Sequence, residues 1–298
     1  MTIQQVPRLI EVYRSPRRRR ADEHSLVLQS MSVPHFAVQQ GIDHVLLVEE
    51  HFEQPARDQL ALYDRERGLW TRVAAVPGNW WSGLYALLAF AVALALVNAL
   101  DFVSAFALDW RAAGIAVAGR LLDAEPWRAV TALTLHADAG HLASNLVFGG
   151  FFVALLAAET SAGAALTAAL VSGTVGNAWN AWIQEPTHRS LGASTAVFGV
   201  IGALVALEAV RLTRARENWM RRLAVFGVGM FLFGSMGFGG ERTDVLAHAC
   251  GFGAGVPAGL LLGWLGARMR GRSATSATLA LGCLLALAAC WTVALLPR

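Results

Sequence analysis

A serine and a histidine in apolar sequence are the residues of this chain best suited to nucleophilic chemistry. Ser194 opens a long apolar stretch in the segment GASTAVFG, and His248 lies near the start of another in AHACG. Hydroxyl and imidazole groups have a desolvation penalty in lipid-facing sequence, so they indicate a functional site with a partner. We interpret Ser194 as a nucleophile and His248 as its base. Taken singly, each also fits a structural role, the histidine as an interfacial anchor and the serine bonded to its own backbone.

A second pair, His141 and Asn145, could stabilise the charge that such a reaction develops. The two residues lie four apart in LHADAGHLASN, so they share one face of a helix. Two side-chain donors aimed into a cavity beside a serine are what an oxyanion hole for acyl transfer requires. The alternative for Asn145 is a hydrogen bond that joins two helices of a membrane bundle.

Composition indicates a membrane protein. The 298 residues are 55% hydrophobic and only 15% charged, with a mean hydropathy of +0.47. In an average soluble domain about a quarter of the residues are charged. All basic residues are arginine and the net charge is only +3, which does not indicate a nucleic-acid partner. The three cysteines lie in apolar segments and lack the spacing of metal ligands: Cys250, Cys283 and Cys290. We therefore expect no disulfide, metal or cofactor.

Apolar stretches of about 20 residues predict the membrane-spanning helices. The region before residue 79 is polar and arginine-rich and lacks the apolar core of a signal peptide. The sequence therefore predicts six core helices and one appended helix. Their ranges are 81–100, 141–158, 162–183, 194–212, 223–238, 245–267 and 277–296.

Arginine clusters predict the orientation of these helices, because positive charge collects on the cytoplasmic side. Clusters precede the first span, follow the fourth and follow the sixth. This places the N-terminus inside and the loops 101–140, 184–193 and 239–244 outside. Ser194, His141 and His248 would then all begin their helices from the outer face, where they can meet around one cavity.

The N-terminal region is predicted to be a small cytosolic α+β domain, residues 1–72, followed by a linker, residues 73–82. Its periodicity indicates strands near 9–13, at 35–39 and at 44–49, with helices at 21–32 and 55–67. It contains no catalytic constellation. The arginine run at residues 17–20 is either a solvated surface or a contact with anionic lipid.

Together, His141-x-x-x-Asn145, Gly192-Ala193-Ser194, Ala247-His248-x-x-Gly251 and the dipeptide Trp127-Arg128 resemble the rhomboid family of intramembrane serine proteases. The similarity covers roughly residues 81–267, and the last apolar stretch resembles the bacterial form with an extra C-terminal helix. The resemblance implies an all-α polytopic membrane protein with a six-helix catalytic core at 83–267. A cytosolic loop and seventh helix would follow at 268–298.

The resemblance also implies a role for each matching residue. Ser194 and His248 would form a dyad, and His141, Asn145 and the Ser194 backbone N–H would hold the oxyanion. Phe198 would stack against the base, and His136 would only shape the site. The other matching positions support the site: Gly192, Gly251, and Trp127 and Arg128 in a loop of the outer leaflet.

The implied function is hydrolysis of peptide bonds in single-pass transmembrane proteins near the outer side of a bilayer, without metal or cofactor. The architecture further suggests a bacterial inner membrane with a cytoplasmic N-terminus. The alternative is a rhomboid-like pseudoprotease that binds transmembrane helices without cleaving them, but such proteins usually lack the serine or the histidine.

One position departs from the family pattern, since Thr195 stands where rhomboids usually have glycine. Its β-branched side chain could widen the gap between the fourth and sixth helices or hydrogen-bond across it. Small residues otherwise let these helices approach closely: Gly199 and Gly202 on one, with Gly251 and Gly255 on the other.

Overall fold

The computed structural model describes residues 8–71, 79–214, 227, 244–265 and 273–296. The chain divides into two compact units, Met1–Val76 and Pro77–Arg298. The predicted fifth span, 223–238, lies outside the described residues apart from one position.

The first unit is a three-stranded antiparallel sheet with two helices, which confirms the predicted α+β fold. Its strand order is β1-β3-β2. Leu28, Leu46, Val48 and Leu60 form the core between sheet and helices. The elements are β1 (Leu9–Ser15), α1 (Arg18–Ser30), β2 (His35–Gln40), β3 (Asp43–Glu49) and α2 (Glu53–Thr71).

A buried histidine connects the two helices of this unit. His24 is fully buried, and its Nδ1 donates to the carbonyl oxygen of Arg20 at 2.8 Å. Its Nε2 lies 3.0 Å from Oδ1 of Asp64 on α2, and its ring stacks on Tyr13 of β1 at 3.7 Å between centroids. These contacts set the position of α1 along α2.

The second unit is a bundle of long helices. Among the described residues, five helices are long and apolar enough to cross a membrane: Trp80–Phe102, Ala139–Glu159, Ser194–Arg214, Val245–Leu265 and Ser273–Leu295. Ala162–Ile183 has similar length, but its two asparagines and its Gly, Ser and Thr residues make it less apolar. In chain order the elements are α3 (Trp80–Phe102), α4 (Trp110–Gly114), β4 (Ala116–Val117), α5 (Ala118–Asp123), α6 (Arg128–Thr131), α7 (Ala139–Glu159), α8 (Ala162–Ile183), β5 (Arg189–Ser190), α9 (Ser194–Arg214), α10 (Val245–Leu265) and α11 (Ser273–Leu295).

Two loops that were predicted to share one side of the membrane contact each other. The segment between α3 and α7, predicted only as a loop, contains three short helices and the strand β4. β4 pairs antiparallel with β5, which lies in the loop before α9. This small sheet places the two loops at the same end of the bundle.

The last helix, α11, packs on the bundle through polar and aromatic contacts. Ser276 accepts a hydrogen bond from the backbone N–H of Gly163 at 3.0 Å, at the start of α8. At the other end, Trp291 Nε1 donates to Thr134 Oγ1 at 3.1 Å.

A very close helix contact joins α9 and α10, where glycines face the backbone of the neighbouring helix. A Cβ added at Gly251 would overlap the carbonyl oxygen of Thr195, and one at Gly255 would overlap that of Gly199. Gly202 meets the carbonyl of Phe252 in the same way. The two backbones are therefore in direct contact, as small residues allow in membrane bundles.

We expect Gly255→Ala to destabilise the protein, because overpacking a tight contact costs about 1–3 kcal/mol. The control is Gly282→Ala on α11, where an added Cβ meets nothing within 4 Å. At that position alanine should leave stability unchanged or raise it by up to about 1 kcal/mol through helix propensity. Thermal unfolding in detergent measures both variants, and equal shifts would contradict the backbone contact.

Candidate functional site

One cavity of about 690 Å³ brings together the side chains that the sequence singled out. It lies where α7, α9 and α10 begin. The predicted site residues on its lining are Ser194, His248, His141, Asn145, Phe198 and Gly192.

The loop before Ser194 is held by backbone hydrogen bonds. The N–H of Gly192 donates to the carbonyl of Ala132 at 2.9 Å. The N–H of Ala193 donates to Nε2 of His136 at 3.4 Å. Ser194 is then the first residue of α9 and is half-buried, so its hydroxyl and N–H lie at the positive end of that helix.

Both the backbone conformation at position 192 and the nearby His141 ring require glycine there. Its φ of +128° lies in a region that residues with a side chain rarely adopt. A Cβ there would lie 2.7 Å from Cε1 of His141 and 3.7 Å from Oγ of Ser194. The His141 ring thus lies directly against this loop, next to Ser194.

His136 supports the loop from within the protein. It is buried, and burial, with a further contribution from the neighbouring His141, lowers the pKa of His136 to about 3. The ring is therefore neutral near neutral pH, and its Nε2 can accept the Ala193 N–H. His136 thus contacts the loop that precedes Ser194.

The second candidate of the dyad, His248, is buried and stacked on an aromatic ring. Its ring lies 4.4 Å from that of Phe198 between centroids, at an interplanar angle of 25°. Phe198 follows Ser194 by one turn of α9, so the stack holds the imidazole against the helix that begins with the serine.

The start of α10 is held by Asp244, which lies one turn before His248. Its Oδ1 accepts from the N–H of Ala247 at 3.0 Å, an N-terminal cap. Its Oδ2 lies 2.8 Å from Nδ2 of Asn180 and 2.8 Å from Nε2 of His188. The sequence analysis did not predict a role for His188. The sequence showed only that His188 and Asp244 lie in loops predicted on the same side of the membrane.

Asn145 and His141 lie at the start of α7. Asp138 Oδ1 caps this helix by accepting the N–H of His141 at 2.8 Å. Nδ2 of Asn145 donates to the carbonyl of His141 at 3.0 Å. An amide nitrogen carries two protons, so this bond uses only one. The helix turns to π geometry over Asn145–Gly149, a distortion that frequently occurs at functional sites.

Trp127, Arg128 and Gly251 do not line the cavity. Arg128 is buried, and its Nη1 donates to the carbonyls of Ala112 and Ile115 at 3.0 and 2.7 Å. It also pairs with Glu125. Arg128 thereby joins the short helices of the first loop.

Thr195 fits between helices without separating them. It is buried, and its Cγ2 would lie 2.7 Å from a Cβ at Gly176 of α8 and 3.1 Å from one at Gly251 of α10. Glycines on both neighbouring helices therefore make room for the methyl group, while the backbones of α9 and α10 stay in contact.

Within the described ranges, no group of three or more His, Cys, Asp or Glu side chains could hold a metal ion.

Comparison with known proteins finds one family model and one curated relative that match this chain. Residues 123–265 match the family model described as Rhomboid domain. Over 147 residues the chain is 34% identical to Rhomboid-like protease 3 of Toxoplasma gondii. The alignment covers 48% of this chain and 54% of that protein, so the chain spans about half the length of this curated relative.

Both matches support the rhomboid family. The matched segment includes the four cavity residues Ser194, His248, His141 and Asn145. The five long apolar helices among the described residues indicate a multi-pass membrane protein, and residues 123–265 of it match the Rhomboid domain model.

Proposed function

We propose that this protein is an intramembrane serine endopeptidase that uses Ser194 and His248 as a catalytic dyad. The observation that supports it most is the single cavity lined by both residues together with His141 and Asn145. A nucleophile, a base and two donors beside one space are the parts that acyl transfer needs.

In the proposed reaction, Ser194 Oγ attacks the scissile carbonyl while His248 accepts the hydroxyl proton. The oxyanion of the tetrahedral intermediate lies beside the Ser194 N–H at the start of α9, with His141 and Asn145 as further donors. His248 returns the proton to the leaving amine as the C–N bond breaks. Water then hydrolyses the acyl-enzyme by the same steps in reverse.

The stack of Phe198 on His248 supports the assignment of the base. A buried histidine could adopt several rotamers, and packing against a ring at 4.4 Å restricts them. The Asp244 cap restricts the helix that carries the histidine. Together they fix the position from which the imidazole would accept the serine proton.

The proposed substrates are single-pass transmembrane proteins, cleaved near the outer side of a bacterial inner membrane. In support, the cavity lies at the end of the bundle opposite the ion pair between Arg211 and Glu159 (2.6 Å). Arg211 and Arg214 lie in the last turn of α9 at that end, and arginine at a helix end predicts the cytoplasmic side. The pseudoprotease alternative gains no support, since the chain retains both Ser194 and His248.

A fluorophosphonate probe tests the nucleophile in reconstituted membranes. We expect the full chain to be labelled and Ser194→Ala to remain unlabelled, because the probe reacts only with an activated hydroxyl. Ser144 lines the same cavity, so Ser144→Ala is the matched control and should be labelled normally. An unreactive wild type, or labelling that persists in Ser194→Ala, would refute the dyad.

The same probe tests the oxyanion donor, because its phosphonyl oxygen occupies the oxyanion position. Asn145→Ala should lower the labelling rate by about a hundredfold, the usual effect of losing one such donor. Thermal unfolding of the variant, measured in parallel, separates this effect from loss of the fold. An unchanged rate in a folded variant would remove Asn145 from the mechanism.

A further inference from the structure

The arginine run of the first unit has an unfavourable position that the fold does not explain. Residues 17–20 are four exposed arginines at the N-terminus of α1, where the helix dipole disfavours positive charge. Arg18 and Arg19 pair with acidic residues one turn later. Arg17 and Arg20 form no ion pair among the residues that the structure describes. The run therefore places positive charge where it does not stabilise the unit.

An exposed apolar residue lies in the hairpin between β2 and β3. Gly41 turns the chain with φ +65°, and the next residue, Ile42, is 82% exposed. Tight hairpin turns favour Gly, Asn and Asp, and a β-branched residue has no local advantage there. Its apolar side chain is left in contact with solvent.

The arginine run and Ile42 lie at the same end of the first unit. In the sheet, Ser15 at the end of β1 pairs with His44, and Gln40 pairs with Asp43 beside the turn. Arg14 bridges the strands at this end, with Nη1 3.4 Å from Asp43 Oδ2. We call this end, formed by residues 17–20 and Ile42, the basic tip.

The helix α2 also ends at this end of the unit. α2 begins shortly after β3, at the opposite end of the sheet, and passes His24 at Asp64. Beyond Asp64, α2 continues for seven residues, about 10 Å, to Thr71. Arg17 lies seven residues before His24, so the start of α1 and the end of α2 lie at the same end of the unit. Residues 72–78 then connect to Asn79, which caps α3.

We propose that the basic tip docks on an anionic bilayer surface, with the arginines against lipid phosphates and Ile42 in the headgroup region. Basic residues near an anionic leaflet are attracted to it, and an adjacent apolar side chain adds burial at the interface. A nucleic acid would use the charge but not Ile42. The apolar helix α3 follows α2 after only eight residues of sequence, which favours a membrane. This proposal does not depend on catalysis.

Spin labelling of the full chain in vesicles tests the proposal. Cys250, Cys283 and Cys290 are replaced by alanine, and a nitroxide is attached at Ile42→Cys or, as a control at the opposite end, at Gln54→Cys. Vesicles contain phosphatidylcholine alone or with phosphatidylglycerol. The label at 42 should become shielded from a water-soluble relaxation agent only with the anionic lipid, while the label at 54 stays accessible.

Two matched charge variants separate this tip from general attraction. Arg17→Gln with Arg20→Gln should remove most of the shielding at 42, whereas Arg8→Gln with Arg57→Gln, the same charge change at the opposite end, should leave it. High salt should also remove it in the otherwise unchanged protein. Shielding that is absent in anionic vesicles, or that survives both high salt and the first pair of substitutions, would overturn the proposal.

Discussion

Direct backbone contact between α9 and α10 is the constraint on which the arrangement of the cavity depends. Ser194 begins one of these helices and His248 lies in the first turn of the other, so their separation follows from how closely the helices pack. Glycines at 251 and 255 leave no Cβ between the backbones. In lipid, where water does not drive helices together, such close van der Waals contact is a principal source of association.

The same constraint explains why Thr195 is tolerated. A β-branched residue beside the nucleophile could separate the helices, but glycines at 176 and 251 surround its methyl group. The extra volume is accommodated by the neighbouring helices, and α9 keeps its contact with α10. The glycine contacts between α9 and α10 beyond Thr195 keep the two helices together at this position.

Several polar groups near the cavity bond to partners within the protein, as a membrane environment favours. Asp244 binds its own helix start, Asn180 and His188. His136 accepts the Ala193 N–H, and Asp138 caps the helix that carries His141. These bonds position loops and helix starts, while the side chains proposed to react face the cavity. The short helices of the first loop, joined by Arg128, add a rigid frame beside it.

The sequence by itself determined most helix positions and the residues that could react. Apolar length predicted α8 at its observed bounds and the other long helices of the second unit to within a few residues, because lipid thickness sets span length, but it did not predict the short helices α4, α5 and α6. Alternation and periodicity likewise predicted the sheet and helices of the first unit. Only the tertiary structure decided which long-range contacts form: the pairing of β4 with β5, the His188–Asp244 contact and the space for Thr195. These depend on side chains far apart in the chain, and local patterns of hydropathy contain no information about which of them meet.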